Sequence, residues 1–279
     1  MRINLCLLLF LVLLNISCNS KRAGKKEDVE KDTYANPLFM EGANSSAIYH
    51  NGKYYYTHET NEQIYLWVTT DITDMAHSTC KEVWVPKDPS NSHNLWNPEI
   101  RNINGKWYIY FAAGEAEDVW KIRPYVLECD GDPMTGEWSE LGPMKGCDDD
   151  PFSFTDFSLD ATIFEHKGDY YYVWAQKASN ISNLYIAKMA APNKLATVME
   201  MITTPDYDWE RILFWVNEGP AVLKHGGKIW LTFSASGTGS CYCVGLLSAD
   251  ENADLLDPAS WTKERMPVLK TDQKKGLYG

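Results

Sequence analysis

Residues 163–176, IFEHKGDYYYVWAQ, read as a β-hairpin: an apolar strand, a glycine turn at Gly168, then an aromatic strand of alternating pattern. The same pattern is written three more times. IYHNGKYYYTHE begins at Ile48, IRNINGKWYIYFAA at Ile100 and VLKHGGKIWLTFSA at Val222. The turn glycines Gly52, Gly105, Gly168 and Gly227 are 53, 63 and 59 residues apart. Each hairpin is followed by another short strand and a polar loop, as in IYLWVTTDITD after the first and GLLSADENADLLDPASW after the last. No long stretch has helical period. A repeat of about 50–60 residues with about four strands per unit marks a β-propeller, whose blades cover one another's faces; a β-sandwich or a solenoid is the alternative. The rhythm would place a fifth hairpin at roughly residue 285, beyond Gly279. The chain is therefore expected to be all-β, a propeller of the five-bladed type with about four blades present.

Composition sets the class. Of the 279 residues, 44% are hydrophobic and 23% charged, which suits a globular domain with a sizeable core. The net charge of −12 disfavours nucleic acid as a partner, because phosphate must be met by Lys and Arg. Arg2, the apolar run 5–14 and the small residues up to Ser17-Cys18 form an export signal with a lipobox-like end. Residues 1–18 are expected to be a signal peptide, 19–35 a flexible charged tether and 36–279 the propeller. The product would be exported as a bacterial outer-membrane or cell-surface lipoprotein, or periplasmic, and would meet the membrane only through an N-terminal lipid anchor. Cys80, Cys129, Cys147, Cys241 and Cys243 lack metal-like spacing and are expected as buried free thiols.

Three carboxylates precede the turns. Asp160 stands 8 residues before Gly168, Glu218 stands 9 before Gly227 and Glu99 stands 6 before Gly105. The innermost strand of every blade lines the propeller axis, so acids far apart in sequence would converge at one end of the funnel. Converging carboxylates suit glycoside hydrolysis. A like charge keeps one acid protonated so that it can donate to the leaving oxygen, while a second activates water. The bland alternative for each is a turn cap or a bond to backbone amides. In the first repeat the matching place holds Asn44.

At this point the chain resembles the family 43 glycoside hydrolases over most of residues 36–279. The resemblance is carried by LWNPEI at 95–100, LDATIFEH at 159–166, VNEGPAVLK at 216–224 and SADENADLLDPASWTK at 248–263. It implies an exported five-bladed propeller that cleaves terminal α-L-arabinofuranosyl or β-D-xylosyl residues of plant polysaccharide with inversion. Arabinose- or xylose-containing oligo- or polysaccharide would be the partner. It further implies Glu218 as general acid, Asp160 as the residue that tunes and orients it, and the general base in a Gly-Pro-Asp-Pro-Trp-like stretch. Here that stretch reads Gly42-Ala43-Asn44-Ser45-Ser46. An amide cannot take a proton at neutral pH, so hydrolysis is expected to be impaired. A non-catalytic carbohydrate-binding propeller, or a decayed hydrolase fragment, is the alternative. Glu41 is the nearest carboxylate in sequence. Trp96, Asn97 and Glu99 are expected substrate contacts. No cofactor is required; a central Ca2+ belongs to the complete fold, through a late Gly-His-Asn segment not found before Gly279, and no metal ligands are assigned in this chain.

Overall fold

The computed structural model describes residues 38, 39 and 44–276. The export signal, the lipobox-like Ser17-Cys18, the tether, Glu41, Gly42 and Ala43 lie outside the described residues.

The four repeats fold into four blades. Blade 1 contains β1 (Ser46–His50), β2 (Lys53–Glu59), β3 (Ile64–Thr69) and β4 (Thr79–Trp84); blade 2 contains β5 (His93–Ile103), β6 (Lys106–Gly114), β7 (Arg123–Cys129) and β8 (Trp138–Pro143). Blade 3 contains β9 (Ser158–His166), β10 (Asp169–Ala178), β11 (Ile181–Ala191), β12 (Lys194–Leu195) and β13 (Glu200–Thr203); blade 4 contains β14 (Trp215–His225), β15 (Lys228–Ala235), β16 (Cys243–Asp250), β17 (Thr262–Lys263) and β18 (Leu269–Lys270). Within each blade the main strands pair antiparallel in chain order. A short parallel bridge from Ile181-Ser182 to Trp215-Val216 joins blades 3 and 4. The sheets form an open arc, as a partial propeller does.

Every inner hairpin turns on two residues of positive φ: Asn51 and Gly52, Asn104 and Gly105, Lys167 and Gly168, Gly226 and Gly227. That backbone twist matches the strands it joins, which is why the turn residues read so clearly.

The period-two alternation decides what packs where. On β6, Trp107, Ile109, Phe111 and Ala113 face blade 1 and share a cluster with Ile64, Leu66 and Trp84. Tyr108 and Tyr110 point the other way, into a cluster with Ile163, Tyr172 and Trp174 of blade 3. On β10, Tyr171, Val173 and Ala175 meet Ile229, Leu231 and Phe233 of blade 4. Three core layers thus lie between four blades. The five cysteines are free; Cys129 and Cys243 are buried as expected, whereas Cys80 is exposed.

Side chains of the inner hairpins tie each blade to the next. Thr57 Oγ1 donates to the Pro98 carbonyl at 2.7 Å, and the Ile163 amide donates to Glu99 Oε1 at 2.8 Å. The Gly219 amide donates to Asp160 Oδ2 at 3.0 Å. These ties fix the funnel rim, where the acids stand.

Candidate active site

The rim is built on a repeated backbone feature. Eight residues before each turn glycine stands a residue in the left-handed region: Asn44 (φ 53°), Asn97 (51°), Asp160 (53°) and Gly219 (57°). Asn, Asp and Gly are the residues that tolerate this conformation. The ladders slip at the same place, between Trp96 and Glu99, opposite Leu159 and Thr162, and between Glu218 and Ala221. A bulge there kinks the strand and re-aims its side chains. This corrects the alignment of the acids. Asp160 is equivalent to Asn44, Asn97 and Gly219; Glu218 precedes the bulge residue by one position and Glu99 follows it by two. The three carboxylates do not occupy one repeated position, although two of them do meet.

Asp160 and Glu218 come together across blades 3 and 4. Asp160 accepts from the Gly219 amide and from the Asn97 side chain. Burial first, then the charge of Glu218, pushes the Asp160 carboxyl well above the usual range, and the charge of Glu59 adds to this. Burial likewise raises Glu218, offset by the Tyr242 hydroxyl, which donates to Glu218 Oε1 at 2.8 Å, and by the charge of Lys177. Two half-buried carboxylates that feel each other's charge titrate as a unit. The repulsion between them favours a proton held within the pair. Asp160 accepts from two donors and Glu218 from one, the Tyr242 hydroxyl.

The strand that carries Glu218 is anchored beneath it. Asn217, fully buried, donates from Nδ2 to Glu210 Oε1 at 3.0 Å and accepts from Thr203 Oγ1 at 3.1 Å. Glu210 is itself fully buried and pairs with Lys263 Nζ at 2.8 Å.

The first blade is different. Asn44 is exposed, and its Nδ2 reaches Glu59 Oε1 at 3.4 Å. Glu59 ends β2 and is 9% exposed. Burial pushes its carboxyl up to about 7, against the opposing pull of its own backbone amide and of Asn44. Its second oxygen, Oε2, is buried with no hydrogen-bond partner among the described residues.

The expected substrate contacts separate. Asn97 hydrogen-bonds Asp160 and so shapes the acid pair. Trp96 is half-buried; its Nε1 donates to Asn61 Oδ1 at 2.9 Å, and its ring lies 5.9 Å from that of Trp120, which is 65% exposed. Glu99 stands apart from the other two. It is buried, pairs with Arg101 Nη2 at 2.7 Å and receives the Ile163 amide. Arg101 also donates from Nε to the Ile163 carbonyl at 2.9 Å. That is an inter-blade tie, which satisfies a buried charge where two strands meet.

Sequence reasoning missed Glu59, Tyr242 and Lys177. Glu59 had a signal. Seven residues after each turn glycine stand Glu59, Ala112, Ala175 and Ser234, so one repeat carries a carboxylate where the others carry small residues. Tyr242 lies in a loop and had none.

Among the described residues no group of three or more His, Cys, Asp or Glu is arranged to hold a metal ion. A cavity of about 370 Å³ lined by Ile103, Lys106, Tyr108 and Tyr170 lies at the hairpin-turn end of blades 2 and 3, away from the rim carboxylates.

Comparison with known proteins agrees with this architecture. The model of glycosyl hydrolases family 43 matches residues 34–279. The extracellular exo-α-(1→5)-L-arabinofuranosidase of Streptomyces avermitilis is 43% identical over 88% of this chain and 52% of its own length. That of Streptomyces chartreusis is 40% identical over 88% of this chain and 76% of its own. The chain thus spans about half the length of the first of these relatives. The crystal structure of an α-L-arabinofuranosidase from Lactobacillus brevis superposes with a TM-score of 0.79 at 40% identity, covering 86% of this chain and 78% of that one. With its four repeated hairpins, its bulged inner strands and its acid pair at the rim, the chain belongs to glycosyl hydrolase family 43.

Proposed function

We propose that the chain hydrolyses terminal α-L-arabinofuranosyl residues of arabinose-containing polysaccharide, with inversion. The observation that carries this is the half-buried, electrostatically linked Asp160–Glu218 pair, which stands at a rim tied by inter-blade hydrogen bonds. In this reading Glu218 gives its proton to the leaving oxygen. Asp160 keeps that proton in place by its own negative charge and is oriented by Gly219 and Asn97. Tyr242 holds Glu218 in one rotamer. The Trp96–Trp120 pair offers ring faces on which a furanose can stack. The two Streptomyces relatives, 40% identical or more, are named arabinofuranosidases, which favours an arabinofuranosyl over a xylosyl substrate. Two of them are named extracellular, in keeping with export through the leader at residues 1–18, and a lipid on Cys18 would anchor the product.

A second reading, a propeller that binds glycans without cleaving them, is favoured by one observation: Asn44 stands at the position where the family resemblance places the base. An amide can hold a water but not deprotonate it.

The two readings part in one assay. Arabinan oligosaccharides are incubated with the full chain and with Glu218→Gln, and free arabinose is measured. Release by the wild type that falls by about 10²–10⁴-fold in the variant supports the hydrolase. Saturable binding of the same oligosaccharides with no arabinose released supports the binding module. Release that Glu218→Gln leaves unchanged removes Glu218 from the role of acid.

A further inference from the structure

Blade 1 lacks a carboxylate at its left-handed rim residue, yet it carries one directly beside that residue. Glu59 occupies the place held by Ala112, Ala175 and Ser234 in the other three blades. Ser234 shows where that place lies. It is the cross-strand partner of Glu218 and its side chain abuts Gly219, the rim residue of blade 4. In blade 1 the same relation is drawn by the contact of Asn44 Nδ2 with Glu59 Oε1. The carboxylate has moved from the first strand of the hairpin to the second.

Its surroundings are those of a group that acts. A Glu at a strand end belongs in solvent unless something recruits it inward. Glu59 is instead 9% exposed; one oxygen is met by Asn44 and the other, Oε2, is buried and unpartnered among the described residues. A buried carboxylate oxygen without a donor is costly, and a bound water is the simplest donor to satisfy it. The charge of Glu59 is felt at Asp160, so the group looks into the same funnel as the acid pair. His58 Nδ1 lies at 3.1 Å from the Glu59 carbonyl and its ring stacks on Trp67, away from the carboxylate.

We propose that Glu59 is the general base of this chain, with Asn44 as the amide that positions its carboxylate and the attacking water. This rests on the hydrolase reading above. In the step, Glu59 Oε2 takes a proton from water as the water oxygen bonds to the anomeric carbon. The bond from that carbon to the leaving oxygen breaks, and Glu218 supplies the proton the leaving oxygen needs. Glu59 ends protonated and Glu218 ionised; exchange with solvent resets both. The raised carboxyl of Glu59, at about 7, suits a base that must hold a proton briefly and return it near neutral pH.

The test compares the full chain with Glu59→Gln, Glu59→Ala and the double variant Asn44→Asp/Glu59→Gln, on p-nitrophenyl α-L-arabinofuranoside and on arabinan oligosaccharides. Glu59→Gln is expected to lose about 10²-fold or more in kcat with KM within about twofold. Its Tm shows that the isosteric variant is folded. In Glu59→Ala, azide with the activated substrate should form the inverted glycosyl azide, because azide attacks without a base. The double variant should regain at least about tenfold over Glu59→Gln, since it restores a carboxylate to the rim at position 44. An active wild type whose kcat survives Glu59→Gln, with no azide product from Glu59→Ala, overturns the base assignment alone. A wild type that releases no sugar from either substrate overturns the hydrolase reading and this proposal with it.

Discussion

The two sides of the funnel rim solve one electrostatic problem in different ways. On the side of blades 3 and 4, Asp160 and Glu218 lie on the inner strands themselves. They are held by the Gly219 amide, Asn97 and Tyr242 and braced below by Asn217, Glu210 and Lys263. On the side of blade 1, the inner strand offers only Asn44, and the carboxylate comes from the neighbouring strand with one weak amide contact at 3.4 Å. The acid side is over-determined by hydrogen bonds. The Glu59 side has one carboxylate oxygen with no protein partner among the described residues. The difference follows from packing. β10 buries both of its faces between blades 2 and 4, whereas the first blade has a cluster on one side, through Tyr55, Ile64 and Leu66, and keeps Tyr54 and Tyr56 less buried on the other. A rigid wall can hold a proton between two acids; the more open wall can admit water.

Substitutions should expose this asymmetry, beginning with the acid. Glu218→Gln should lower arabinose release from oligosaccharides by about 10²–10⁴-fold. It should cost much less on p-nitrophenyl arabinofuranoside, whose leaving group needs no proton; comparing the two substrates checks it. Next in size is a stability effect confined to the acid wall. Lys263→Met leaves buried Glu210 uncompensated and should destabilise the fold by about 3–5 kcal/mol, read by denaturant unfolding.

Asp160→Asn should act through Glu218. The charge of Glu218 is felt at Asp160 and like charges repel mutually, so if Glu218 is the acid, removing the Asp160 charge should lower its pKa and move the alkaline limb of the pH–rate profile to lower pH. A limb that stays in place would separate the two carboxylates. Tyr242→Phe is the smallest change. It removes one hydrogen bond to Glu218 and should cost roughly 0.5–1.5 kcal/mol in activation free energy, seen as a modest fall in kcat.

Much of this was legible in the sequence, for reasons that can be named. The turn glycines and their Asn or Lys partners are dictated by a two-residue hairpin with positive φ, and the alternation on β6 and β10 is dictated by blades that bury both faces. Asp160 and Glu218 stood out because acids beside an apolar inner strand are unusual. Glu99 did not fall at the rim position because its distance from the turn is 6 residues, where the rim residue stands at 8. Its partner, Arg101 of the same strand, together with the Ile163 amide of the next blade, makes it a tie. Glu59 was hidden for the opposite reason. A polar residue at the end of an exposed-looking Tyr-rich strand reads as solvated, and only the fold carries it inward beside Asn44.

The direct test of the central claim, that the base sits on Glu59 in the wall opposite the acid pair, is the pH dependence of kcat/KM for the wild type and for Asn44→Asp/Glu59→Gln. A base must be ionised, and burial has raised the Glu59 carboxyl to about 7, so wild-type activity should fall as pH drops through about 7. In the double variant the base is a carboxylate at the exposed position 44, and the acidic limb should move down toward the ordinary range of an aspartate, below about 6. A wild-type acidic limb already below about 5, unmoved in the double variant, would contradict the account and return the base to some other group.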